Sequence, residues 1–155
     1  LTRASATKPD YVLHIEDDTL LSPDALTYYT WALKELDKRD DVFSVAGYNK
    51  CDAEPKTTHV ARLRKYFTCW AWAVNKQGLR NILKGWSTAN PKSFAWHLNK
   101  KIRAGRHEIF PELSRVQNIG YKVGENGRTP TWYAENHRVK FIAGELKHKD
   151  WTLKG

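Results

Sequence analysis

Apolar positions along the chain alternate between short unbroken runs and stripes at helical spacing. Tyr11-Val-Leu-His-Ile15 is a run entered through Lys8-Pro-Asp10 and halted by Glu16-Asp17-Asp18, which predicts a buried strand. Ser22-Pro23-Asp24 predicts a helix start, with Ser22 as N-cap, Pro23 at the first helical position and Asp24 favoured by the dipole. Ala25, Tyr29, Leu33 and Leu36, with Leu26 beside them, mark its inner stripe, and the helix is expected to run out near Arg39. Val42-Phe-Ser-Val-Ala46, ended by Gly47, predicts a second strand. Strand, helix and strand make a βαβ-like unit, the mark of an α/β sheet.

Beyond it the pattern loosens. Residues 49–59 are polar, contain Pro55 and predict a loop. Arg62 to Val74 is strand-like and rich in aromatics. Short helices are expected from about Lys76 to Lys84, closed by Gly85, and from about Lys92 to Arg103. In the second, Phe94, Leu98 and Ile102 fall four apart on one face, with Gly105 as the stop. His107-Glu-Ile-Phe110 predicts a strand before Pro111. From Ser114 the chain reads as loop-rich, flexible over about residues 121–136, with a last strand at Val139-Lys-Phe-Ile142 and a polar tail from Lys147.

Composition bounds this picture. A chain of 155 residues with 41% hydrophobic content predicts one domain over residues 1–155, with enough core to fold without disulfide staples. No run of about 18 apolar residues exists, so no transmembrane helix is expected. Met is absent even at position 1, and the chain is expected to be a piece of a longer product. The two cysteines, Cys51 and Cys69, settle no disulfide and lack the spacing of a structural zinc site. A net charge of +9, with seven Trp and seven Tyr, suits nucleic acid, sugar or acidic diphosphate ligands about equally. There is no phosphate-binding G-x-x-x-x-G-K loop and no G-x-S-x-G nucleophile motif.

Candidate chemistry begins at Glu16-Asp17-Asp18. Three carboxylates follow a strand at its carboxyl end, where α/β sheets place their ligands. Crowding them is costly unless a cation compensates, and a divalent metal held through oxygen would in turn hold a diphosphate. Trp70 and Trp72, at i and i+2, would share one strand face and either line a sugar platform together or pack in the core together. Arg115 is expected either to meet a phosphate or to form a plain salt bridge with Glu112.

A strand, Glu-Asp-Asp and then Ser-Pro-Asp opening a helix resembles the centre of the GT-A glycosyltransferases, most nearly the N-acetylglucosaminyltransferase I group. Tyr66-Phe-Thr-Cys-Trp-Ala-Trp-Ala-Val-Asn-Lys76 is similar to that family's acceptor-side aromatic segment. Ile109-Phe-Pro-Glu-Leu-Ser-Arg115 with Asn118-Ile-Gly120, and Glu135-Asn-His137 with Lys140-Phe-Ile142, match its later segments in order. The resemblance spans roughly residues 10–142 and implies a GT-A-like, Rossmann-related mixed sheet flanked by helices. Only residues 1–10 precede the first strand, so part of the N-terminal nucleotide-binding half is expected to be lacking.

The resemblance further implies a metal-dependent transferase that moves a hexosyl or N-acetylhexosaminyl group from a nucleotide-diphosphate sugar to an acceptor hydroxyl, with inversion. Asp18 would be the direct ligand of Mn²⁺ or another divalent cation. Glu16 and Asp17 would lie near the donor, with Arg115 and His137 near its phosphates, and Trp70 and Trp72 on the acceptor side. The family's catalytic carboxylate falls within Ser93-Phe-Ala-Trp-His-Leu98, which has no Asp or Glu. Ala95 marks a vacated base position, or His97 acts instead, or the chain is inactive as written. The alternative function is a basic, aromatic-rich module that grips nucleic acid or glycan without turnover, or a transferase acting on modified DNA bases. No segment specifies a compartment; the cytoplasm is the first expectation, and the resemblance admits the Golgi lumen.

Overall fold

The structure is a computed structural model, and it describes residues 9–50, 59–86, 93–119 and 151–155. The predicted strand Val139–Ile142, the flexible stretch 121–136, His137 and Cys51 lie outside the described residues.

In chain order the elements are β1 (Tyr11–His14), β2 (Thr19–Leu21), α1 (Ala25–Leu36), β3 (Val42–Ala46), β4 (Val60–Arg64) and β5 (Trp72–Asn75). They continue with α2 (Lys76–Gly85), α3 (Phe94–His97) running into a π-helical turn (Leu98–Ile102), β6 (His107–Pro111), β7 (Val116–Asn118) and β8 (Thr152–Lys154). Six strands form one mixed sheet in the order β1-β5-β3-β6-β4-β8, while β2 and β7 pair as a separate two-stranded ribbon. In the main sheet β3 runs parallel to β6, and β4 parallel to β8; the other neighbours are antiparallel.

All five residues of β3 are buried, as its largely apolar run requires of a central strand, with Ser44 satisfied by Glu108. Its side chains divide between the two faces without strict alternation, because the register with β6 shifts between Val42 and Ser44. Val42 and Val45 join a core beneath α1, formed with Ala25, Tyr29, Leu33 and Ile109. Phe43 faces the opposite side, with Trp72, Val74, Leu79, Ile82 and Leu98 beneath α2 and the π-helical turn. Helices therefore cover both faces, and the chain is a mixed α/β protein.

Several expectations need correction. Among the described residues β1 lies at the edge of the sheet, with Tyr11 and Ile15 exposed, so it is not a buried strand. β5 is inserted between β1 and β3, so the βαβ-like unit has an antiparallel strand at its centre. α1 starts two residues later than Pro23, with Asp24 at the N-cap; the Ser22 hydroxyl donates to the Asp24 carboxylate rather than capping the helix. Leu26 is 63% exposed, and Tyr28 and Ala32 take its place on the inner stripe. The Arg62–Val74 stretch divides into the end of β4, a turn and the start of β5. β7 and β8 arise where loop and polar tail were expected.

Gly47 is a close-approach position. A Cβ there would fall 2.5 Å from Val116 Cγ2 and still nearer the Tyr29 hydroxyl, while its backbone bonds both Ala71 and Arg115. Among the described residues no helix is long and apolar enough to cross a membrane.

Candidate active site

The acidic triplet forms the turn between β1 and β2. The Thr19 N–H donates to the Glu16 carbonyl (3.2 Å), and the Ile119 N–H donates to the Asp18 carbonyl (2.7 Å). β2 then pairs with β7 in register, Thr19 with Asn118 and Leu21 with Val116, and the Ser22 N–H reaches the Arg115 carbonyl at 2.9 Å. The backbone of the triplet and of residues 115–119 is thus one hydrogen-bonded unit, although about a hundred positions separate them.

A third segment joins from the other side. His14, the last residue of β1, is the register partner of Trp72, and their rings stack at 5.1 Å. The Cys69 thiol is pushed up to about 12, first by burial and then by the nearby charge of Glu16. Three stretches far apart in sequence, 14–18, 69–72 and 115–119, therefore converge on one end of β1.

Electrostatics at the turn is unbalanced. Glu16 is pushed up to about 7, chiefly by burial and then by repulsion from Asp18 and Asp17. Asp17 is exposed, whereas Glu16 and Asp18 are half-buried. Burial also lowers the His14 imidazole. Its Nδ1, the Thr19 hydroxyl and the Trp72 indole N–H are buried without a hydrogen-bond partner. Among the described residues, no group of three or more His, Cys, Asp or Glu side chains is arranged to hold a metal ion.

The region of the expected base lies on α3. Ser93 caps this helix, accepting from the Trp96 N–H at 3.2 Å. Ala95 and Phe94 pack against the core beneath α2, and the Phe94 ring lies 5.9 Å from that of His14. His97 Nε2 sits 2.8 Å from the Gly85 carbonyl, so that nitrogen is the N–H donor. Its ring meets Trp86 edge-on at 6.2 Å.

Trp70 and Trp72 do not share a face. Ala71 between them adopts a left-handed backbone (φ 41°), which breaks strand alternation. Trp70 packs edge-on against Tyr48 at 4.6 Å and joins the core beneath α1; Trp72, 1% exposed, joins the core on the other side. Arg115 does not pair with Glu112, which is taken by Arg62 at 2.6 Å. It is 1% exposed, donates from Nε to Asp24 at 2.9 Å and from Nη1 to the Leu113 carbonyl, and lies over the Trp151 ring at 4.7 Å.

Sequence reasoning missed the buried pair of Arg64 and Glu108. The Glu108 carboxylate accepts from Arg64 Nε and Nη2 at 2.9 and 2.7 Å, from the Ser44 hydroxyl and from the Thr68 N–H. Burial pushes Glu108 up, and these donors oppose it. His14 was missed too. Its one signal was a polar residue inside an apolar run, next to the carboxylates.

With this geometry in view, comparison with known proteins gives one informative match. No family model matches the chain. It is 24% identical, over 144 residues, to an alpha-1,3-mannosyl-glycoprotein 2-beta-N-acetylglucosaminyltransferase of Arabidopsis thaliana. The match takes in 90% of this chain and 31% of that enzyme. The chain is a distant, partial relative of a glycosyltransferase. It spans about a third of that relative's length.

Proposed function

We infer that the chain carries the metal- and acceptor-facing part of a glycosyltransferase that uses a nucleotide-diphosphate sugar. The observation behind this reading is the convergence of residues 14–18, 69–72 and 115–119, the stretches that resemble GT-A enzymes, on one acidic turn. The distant transferase relative supports the same class of chemistry.

The donor set suits a hard divalent cation such as Mn²⁺ or Mg²⁺. It offers carboxylate oxygens and no thiolate, and one or two carboxylates suffice when phosphates and water complete the shell. Asp18 is the proposed direct ligand, as the resemblance implies; its carboxylate is half-buried on the turn whose backbone is bonded to Ile119. When bound, the cation would neutralise charge on the departing nucleoside diphosphate. Glu16 and Asp17 would orient the donor sugar by accepting from its hydroxyls. Inversion requires a group that takes the acceptor's proton on the face opposite the leaving group. Of the two proposed positions, Ala95 has no proton acceptor, and His97 offers Nδ1. N-acetylhexosamine is the first sugar to try, given the relative's name.

Calorimetry with Mn²⁺ and a panel of nucleotide sugars tests this. Metal-dependent binding is expected for at least one donor, and Asp18→Ala should abolish it while far-UV circular dichroism stays unchanged. Absence of binding across the panel would remove the transferase reading for this chain.

A further inference from the structure

The charge surplus is concentrated in one layer of the fold. Residues 76–107 hold eight of the 26 Lys and Arg and none of the 17 Asp and Glu, so the remaining 18 cations nearly balance the acids elsewhere. This stretch comprises α2, α3 and the π-helical turn. Three of its arginines and lysines are discounted. Arg103 and Arg106 turn back onto backbone carbonyls around the turn, with Arg106 over the Phe43 ring, and Lys92 lies outside the described residues.

Five cations face solvent: Lys76, Arg80, Lys84, Lys100 and Lys101. The first three recur every four residues along α2, advancing roughly 6 Å per step on one face. None of the five makes an ion pair among the described residues. The acids that touch this layer are already engaged: Asp37 accepts from Tyr11 and Asn75, and Glu108 is buried against Arg64. Two indoles stand in the same layer, Trp86 at 39% and Trp96 at 50% exposure. Of its aliphatic side chains, Leu79, Ile82, Leu98 and Ile102 are buried in the core and Leu83 packs half-buried against it.

We propose that the α2–α3 face binds single-stranded nucleic acid, with the line of cations on the phosphates and the exposed indoles stacking on bases. Cations and flat rings without acids meet the two needs of single-strand binding, charge neutralisation and a π-surface. A lipid surface would also attract the cations, but an interfacial helix needs a free apolar stripe, and α2 has buried its own. The proposal is independent of the transferase reading, since it requires neither metal nor nucleotide sugar.

Fluorescence anisotropy of a labelled 20-nucleotide oligo-dT, titrated with the 155-residue chain between 50 and 300 mM salt, tests it. Affinity should fall linearly on a log–log plot. Replacing Lys76, Arg80 and Lys84 together by Gln should flatten the slope by about 2, at roughly 0.7 per phosphate contact. Trp96→Ala should weaken binding roughly tenfold and leave the slope unchanged. Circular dichroism checks that these surface variants fold. No binding at 50 mM salt, or a triple variant indistinguishable from the parent, would overturn the proposal. So would tighter binding to phosphatidylserine vesicles, or to heparin with no effect of Trp96→Ala.

Discussion

The Glu16 carboxyl, held at about 7 against an ordinary 4.5, makes a signed claim about stability. Between those values the folded chain binds the proton more readily than the unfolded chain does. Glu16 therefore opposes folding increasingly as pH rises from 4.5 through 7, and contributes nothing of the kind where both states are protonated. Glu16→Gln should raise the melting temperature at pH 8 and leave it nearly unchanged at pH 4. A shift equal at both values would assign the effect to packing. The base position is tested by two further changes, on any donor and acceptor found to turn over. Ala95→Asp should raise the rate on the order of 10²-fold if a carboxylate is what the site lacks. If His97 Nδ1 is the acceptor, His97→Ala should lower the rate by a similar factor.

At the scale of elements, the buried Arg64–Glu108 pair fastens β4 to β6 and to the turn at Thr68. Arg64→Met leaves a carboxylate buried without its cation and should cost about 3–5 kcal/mol in urea denaturation. The double variant Arg64→Met/Glu108→Leu should recover much of that loss, which a purely steric effect of residue 64 would not allow. Legibility in the sequence also divides by element. α1 and β3 could be read because their patterns span ten or more residues, or fill a continuous run. β2, β7 and β8, three residues each, are too short to carry a period, and they exist because a partner strand supplies hydrogen bonds from far along the chain. The two tryptophans were misread because a single residue, Ala71, reverses the backbone between them. The ion-pair partner of Arg115 could not be read because Asp24 is 91 positions away, beyond any local spacing rule. The acidic turn, by contrast, was visible as three adjacent carboxylates, and what the fold added was its neighbours.

For the whole molecule, the connection between the last described strand and the body of the fold is the most exposed to test. Trp151 stacks on Trp31 at 5.5 Å, lies 5.0 Å from Tyr28, and covers the Arg115 guanidinium. Trp151→Ala should lower stability by about 2 kcal/mol or more and broaden the thermal transition if β8 detaches first. Intrinsic fluorescence followed against circular dichroism would separate the two events, and coincident transitions would show that β8 melts with the sheet.

That same contact sets an order of events during synthesis. Asp24 and Arg115 can meet once residue 115 has emerged, but their aromatic cover arrives with Trp151, and Thr152 then pairs with Val60. Until then β4 lacks the parallel partner it has in the folded chain, and the Asp24–Arg115 pair lacks its indole cover. Residues 151–154 thus join two distant parts of the fold, and loss of that segment would leave β4 without its parallel partner, an edge on which a neighbouring chain can pair.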